Sequence, residues 1–279
     1  KYDRYLTKDQ FVAWLVDPDN ADGLETLYHM GACSSTTETD AAYLDENNFG
    51  YTKKLCLLCL EAGIRFINAS SAATYGDGAR GYDDDEAHLD ELKPLNLYAK
   101  SKQDFDVWAR DEGVLDKIVC LKYFNVFGPN EWHKGDMRSM VCKGFEQISA
   151  AGKVKLFKSD RPEYPDGGQQ RDFVYVKDAV DMTVWFADKP QVNGIFNVGS
   201  GEAKDWNRLI TAIFTALGRE PALEYVDMPD HLKGKYQYHT EARMTRIAAA
   251  GYDKPQTVLE DAVADYVKNH LAPHRHLSS

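Results

Sequence analysis

Apolar positions along this chain alternate between two spacings. LETLYHMGA (24–32), IRFINAS (64–70) and KIVCLKYFNVFG (117–128) are near-continuous apolar runs ending in small or polar residues. Such runs fit strands buried on both faces. Between the first two, Tyr43, Leu44, Asn47, Tyr51, Leu55 and Leu58 recur at helical spacing from Asp40 to Glu61. Gly63 closes that helix, so the segment reads as a β-α-β unit. Leu97 to Arg110 reads as a second long helix. This alternation predicts an α/β fold with a parallel sheet covered by helices.

The second half is more broken. Lys134 to Ala151 is expected as a helix, VKLF (154–157) as a short strand, and Ser159 to Gln170 as a turn-rich loop. RDFVYVKDAVDMTVWFAD (171–188) passes from strand to helix, and GIFNVGSG (194–201) is a strand ending in a loop. A helix over 205–217 precedes a polar, aromatic stretch over 224–244. No internal repeat is present.

Composition narrows the function classes. A net charge of −11 over 279 residues argues against nucleic-acid binding, which needs a basic face. No apolar run approaches the roughly 20 residues of a spanning helix, so no membrane partner is expected. Five scattered cysteines read as reduced and cytoplasmic. Cys56 and Cys59 form a C-x-x-C inside an apolar helix, and we read them as core. The acidic run Asp83 to Glu86 reads as a solvated loop, and no histidine has metal-ligand spacing, so no metal is expected.

The chemistry sits between the two halves. Tyr98 and Lys102 are one helical turn apart and project from the same face. An ammonium beside a phenol favours phenolate, a base able to take a proton from a sugar hydroxyl. Upstream, a strand runs into Ser70-Ser71-Ala72-Ala73-Thr74-Tyr75-Gly76, placing a hydroxyl where parallel sheets bind ligands. Downstream stands Phe124-Asn125-Val126-Phe127-Gly128-Pro129.

Serine, Y-x-x-x-K and F-N-V-x-G-P in this order resemble the extended short-chain dehydrogenase/reductase family, whose members modify nucleotide sugars. The resemblance narrows at three places: His29 to Glu38 (HMGACSSTTE), Trp132-His133-Lys134-Gly135, and the segment LKGKYQ over 232–237. Together these are similar to the branch that inverts C6″ of ADP-D-glycero-D-manno-heptose. The resemblance covers the chain to about Leu271.

The resemblance implies a Rossmann-like doubly wound parallel sheet with a smaller α/β substrate lobe. Residues 1–129 would form the cofactor domain, with 171–200 and part of the C-terminal region returning to it. Residues 130–170 and 202–271 would form most of the lobe. It implies transient oxidation of C6″ to a carbonyl and reduction on the other face, with NADP, or alternatively NAD, as bound cofactor. Tyr98 and Lys134 would be the two acid–base groups, with Ser71 donating to the oxygen. Lys102 would hold the nicotinamide ribose and lower the Tyr98 pKa. Gly31, Ala32, Cys33, Ser34 and Asn47 would line the cofactor, with Val126 near the nicotinamide. Asn125, Phe157, Arg171 and Tyr236 would meet the substrate. Asp136 and Lys143 occupy contact positions where the family has a small hydroxyl residue and a histidine. Outside the resemblance, Lys134 reads as a solvated loop lysine, and Arg171 as a partner of Asp172 or Asp178. The ADP-heptose substrate, a homo-oligomer (a pentamer), and supply of lipopolysaccharide core heptose complete what is implied.

One departure concerns the family's opening G-x-x-G-x-x-G turn and the residue that selects NAD or NADP, neither of which occurs here. The expectation is a longer polypeptide with on the order of 50 residues before Lys1. The alternative is a truncated product. Other reactions also stay open. A dehydratase would need a carboxylate where Ala72 and Ala73 stand, and a 4-epimerase would not need Lys134. A nucleotide-sensing homologue would have kept the fold and lost turnover.

Overall fold

The computed structural model describes residues 4–230 and 236–277. Its strands are β1 (Thr26–His29), β2 (Arg65–Ser71), β3 (Val119–Tyr123), β4 (Asn125–Phe127), β5 (Val154–Phe157), β6 (Gln170–Tyr175), β7 (Gly194–Val198), β8 (Ala203–Asp205) and β9 (Leu223–Val226). The helices that matter here are α1 (Lys8–Leu15), α2 (Tyr51–Glu61), α3 (Leu97–Asp111), α4 (Met140–Ala151), α5 (Val176–Trp185), α6 (Trp206–Ala216) and α7 (Leu259–Tyr266).

The apolar runs assemble as a parallel sheet in the order β1-β2-β3-β7. Successive strand residues point to opposite faces, so each run feeds two cores. Phe66, Cys120 and Ile195 pack against Leu55, Cys56 and Cys59 of α2 and Phe105 and Ala109 of α3. Ile67, Leu121 and Phe196 pack on the other side against Ala179 and Met182 of α5. This two-faced burial is the physical reason the runs are continuous rather than alternating. Cys56 and Cys59 are core residues, and burial pushes both thiols up to about 12, so neither is ionised near neutrality.

A second assembly is built mainly from later residues. β4 pairs with β6 in parallel, β6 with β8 antiparallel, and β5 with β9 in parallel. Val141 and Ile148 of α4, Leu209 and Ile213 of α6, and Val263 and Tyr266 of α7 close its core.

Several sequence expectations change. The run 117–128 is two strands, because the chain turns at buried Phe124, whose N–H bonds to Val198 while β4 leaves for β6. The helix expected from Lys134 starts instead at Met140, where the Ser139 hydroxyl accepts the Cys142 N–H at 3.3 Å. Residues Trp132–Met137 form tight turns, broken where Gly135 takes φ 53°. The helix from Asp40 opens as Ala41–Leu44 and passes through a wider π-type turn over Asp45–Gly50 before α2. The polar stretch after 217 contains β9, and its residues 232–235 (LKGK) lie outside the described residues.

The acidic run is not solvated as expected. Asp84 is 2% exposed and accepts the Asn197 N–H at 2.8 Å. Glu86 accepts from Ile195 N–H at 2.9 Å and Arg246 at 2.6 Å, while Asp83 pairs with Arg243. The run ties the C-terminal segment to β7.

Candidate active site

The C-terminal ends of β1, β2 and β3 meet the start of α3 around a cavity of about 700 Å³. Ser71 ends β2, and the chain turns immediately: its Oγ accepts the Ala73 N–H at 3.1 Å, and its carbonyl accepts the Thr74 hydroxyl at 2.8 Å. With a lone pair of Oγ so occupied, the Ser71 proton is left to donate. Asn96 caps α3 by accepting the Ala99 N–H at 2.8 Å, which sets the helix phase and turns Tyr98 and Lys102 to the cavity.

Lys102 is 4% exposed and donates to the Ala69 carbonyl at 2.7 Å. Burial lowers its pKa from 10.5 to about 8, against an opposing pull from Asp106. Burial raises the Tyr98 pKa, and the neighbouring Ser71 hydroxyl works in the opposite direction. The expectation that Lys102 depresses the Tyr98 pKa is therefore corrected. The ammonium is held by the Ala69 carbonyl, and Ser71 stabilises the phenolate.

Opposite these groups runs the loop after β1. Gly31, Ala32, Cys33 and Ser34 line the cavity, and an added Cβ at Gly31 would meet nothing within 4 Å. The loop is held by Asn48, which sequence reasoning did not single out. The Asn48 Nδ2 also donates to Ser101 Oγ at 3.0 Å, and Ser101 donates to the Tyr98 carbonyl at 2.8 Å. One buried amide thus joins the loop to the helix that carries Tyr98. Its helical spacing was the available signal: Asn48 lies four residues after buried Leu44 and seven before buried Leu55.

A nicotinamide ribose fits this donor set. A buried ammonium with one acceptor among the described residues has N–H bonds to spare, the Tyr98 phenol sits one turn away, and residues 31–34 opposite carry no bulky side chain. Lys102, Tyr98 and the 31–34 loop would hold it.

Lys134 is exposed and opens into the same cavity as Ser71, Tyr98 and Lys102. It also lines an adjoining space of about 420 Å³ with Asn125, Val126, Lys143 and Trp206. Trp206 continues into a smaller cavity of about 230 Å³ lined by Phe157 and Tyr236. Shared lining residues make these one groove. Arg171, 7% exposed, lies with its guanidinium 5.0 Å from the Tyr236 ring and 5.8 Å from the Trp206 ring. Its Nη1 donates to the Gln170 carbonyl at 2.7 Å, and desolvation lowers its pKa. Neither carboxylate considered for it is its partner. Asp172 accepts from Ser200, Gly201 and Ala242, and Asp178 accepts from Thr257. Among the described residues, no carboxylate pairs with this guanidinium.

Asn47 lines an adjoining cavity of about 490 Å³ on the α1 side of the 31–33 loop, which shares Met30 to Cys33 with the Tyr98 cavity, and it accepts from Lys8. Val126 lines the groove beside Lys134 but not the Tyr98 cavity. Asp136 is exposed, lines none of these cavities, and offers its carbonyl to Lys143.

Behind the site lies a second unforeseen element. Asp106 and Lys122 are fully buried, 3.5 Å apart. Ser70 donates to Asp106 at 2.7 Å, and Lys122 donates to Thr74 at 2.8 Å. A lysine inside the apolar run KIVCLKYF demands a buried acceptor, so the signal was present.

Comparison with known proteins agrees with this geometry. A family model described as "NAD dependent epimerase/dehydratase family" matches residues 16–199. An ADP-L-glycero-D-manno-heptose-6-epimerase of Nitratidesulfovibrio vulgaris is 54% identical over 272 residues, covering 98% of this chain and 84% of its own. The enzyme of that name from Fusobacterium nucleatum is 46% identical, covering 98% and 85%. Among solved structures, ADP-L-glycero-D-manno-heptose-6-epimerase of Helicobacter pylori superposes with a TM-score of 0.74 at 28% identity, covering 92% of this chain and 77% of its own.

Proposed function

The chain belongs to the NAD dependent epimerase/dehydratase family, and we propose that it interconverts the C6″ epimers of ADP-glycero-D-manno-heptose. The observation that carries this reading is the opening of Lys134 into the cavity that holds Ser71, Tyr98 and Lys102.

C6″ of the heptose carries no acidic proton, so inversion requires oxidation to a ketone and reduction on the opposite face. When bound, a nicotinamide supplies that reversible two-electron step. Tyr98, as phenolate, takes the hydroxyl proton of one epimer, and Ser71 donates to the same oxygen. Lys102 holds the ribose. Lys134 serves the oxygen once the ketone has turned, so each face has its own proton carrier. Arg171 meets the diphosphate, for which a guanidinium without a carboxylate partner is suited, and Phe157 and Tyr236 wall that end of the groove. Asn125 and Lys143 contribute polar contacts between the two ends.

NADP is the proposed cofactor, with NAD the alternative; mass analysis of nucleotide released on denaturation separates them. A cytoplasmic homo-oligomer, a pentamer, feeding lipopolysaccharide core heptose synthesis completes the proposal. Sedimentation reads the oligomer.

The test is incubation with ADP-D-glycero-D-manno-heptose and chromatographic resolution of the 6″ epimers. Conversion is expected, and Lys134→Met should abolish it. Bound cofactor without conversion would favour a sensing homologue, and undiminished conversion by Lys134→Met would remove the two-base scheme.

A further inference from the structure

Lys134 sits on a short loop, and the loop's ends converge on one carboxylate. Glu131 is 4% exposed. Its carbonyl accepts the Lys134 N–H at 3.0 Å. Its side-chain Oε2 accepts the Ser139 N–H at 2.5 Å, and Oε1 accepts the Ser139 hydroxyl at 2.6 Å. Oε1 also accepts the Tyr266 hydroxyl, at 2.8 Å, from the last residue of α7. Residue 131 thus binds both the third and the eighth residue after it, closing 132–138 into a ring with Lys134 on its exposed side.

These donors are the whole counter-charge of the buried carboxylate, since no Lys or Arg pairs with it among the described residues. Such an anion is tolerable only while its donors stay in place, which makes the closure stiff. Trp132 at the start of the loop stacks on His274, with ring centroids 5.8 Å apart, and Arg138 at its end pairs with Glu146; the contacts around Lys134 itself are local. Arg138 returns to the Gly135 carbonyl at 2.8 Å, and Gly135 takes φ 53° where the loop reverses. The Lys134 ammonium has no side-chain partner among the described residues, so its placement comes entirely from the backbone beneath it.

We propose that Glu131, braced by Tyr266, is the positioning residue that sets Lys134 on the second face of the substrate carbon. The inference rests on the two-base reading above. It assigns Glu131 no contact with substrate; the carboxylate acts only through the loop. Tyr266 makes the device answer to the C-terminal helix, since its hydroxyl carries the packing of α7 to the Glu131 carboxylate.

The experiment separates positioning from general stability by reading a ratio. Enzyme carrying reduced cofactor is given the ADP-linked 6″-ketone, and the two epimeric alcohols are quantified. Each product takes a hydride from the nicotinamide and a proton from Tyr98 or Lys134. Glu131→Gln puts an amide NH2 against donors, and Tyr266→Phe removes one donor and keeps the packing. Both are expected to skew the products toward one epimer, as Lys134→Met does, and to slow net epimerisation on the order of 10- to 100-fold. Hydrogen exchange at the Lys134 and Ser139 amides, read without substrate, should rise in both variants. Equal slowing of both epimers with an unchanged ratio would reduce Glu131 to a structural residue and overturn the proposal. An unchanged ratio in Lys134→Met would instead overturn the two-base reading, and this proposal with it. Should Glu131→Gln fail to fold, Tyr266→Phe alone carries the test.

Discussion

Asn48 grips the backbone of Cys33 from both sides: its Oδ1 accepts the Cys33 N–H at 2.9 Å, and its Nδ2 donates to the Cys33 carbonyl at 2.9 Å. A loop facing a cavity of this size would otherwise depend on glycine, alanine and small polar residues that hold little by themselves. The amide gives the loop the fixed backbone that a cofactor needs, and through Ser101 it ties that backbone to the turn bearing Tyr98.

Replacing Asn48 by alanine should loosen the loop before it unfolds the protein. Losing these buried bonds is expected to lower stability by about 2–3 kcal/mol. The purified variant should also retain less nicotinamide cofactor. Thermal melts and the nucleotide content of the purified variant check both, and full retention of cofactor would separate Asn48 from the loop's function.

Ser71→Ala removes the hydroxyl that draws the Tyr98 pKa down against burial. With the phenolate as the proposed base, the rising acidic limb of the pH–rate profile should move to higher pH. At neutral pH kcat should fall on the order of 100-fold. A limb that stays in place would mean that Ser71 does not tune Tyr98.

Lys102 carries a stability penalty from burial. Its pKa falls from 10.5 to about 8 on burial, so the native state disfavours the ammonium. The penalty is complete below about pH 8 and fades as pH rises from there toward 10.5. Its size is roughly 3 kcal/mol. Lys102→Met should therefore be inactive yet more stable at pH 7, with the gain shrinking toward pH 10. A melt series across that range decides it.

The Asp106–Lys122 pair lies directly beneath Ser70 and Thr74. Asp106→Asn leaves a buried ammonium uncompensated and should destabilise by about 3–5 kcal/mol. Replacing both with Leu and Met should recover most of that loss, a coupling that a double-mutant cycle in urea measures directly. Additive losses would show that the two charges do not act as a pair.

Much of the fold follows from local patterning. Continuous apolar runs such as IRFINAS mark strands buried on two faces, and the helical spacing of Leu55 and Leu58 marks what covers them, because burial periodicity is a property of neighbouring residues. Tyr98 and Lys102 were legible for the same reason: one helical turn ensures their common face. The sequence by itself therefore determined the sheet, the shared helical turn of Tyr98 and Lys102, and the core status of Cys56 and Cys59. Only the tertiary structure decided which distant groups meet. Lys122 finds Asp106, Cys33 finds Asn48, Ser139 finds Glu131, and Arg171 finds aromatic rings rather than Asp172 or Asp178. It also decided the sign of the Tyr98 shift, since burial depends on everything packed around a side chain while spacing reports only one neighbour.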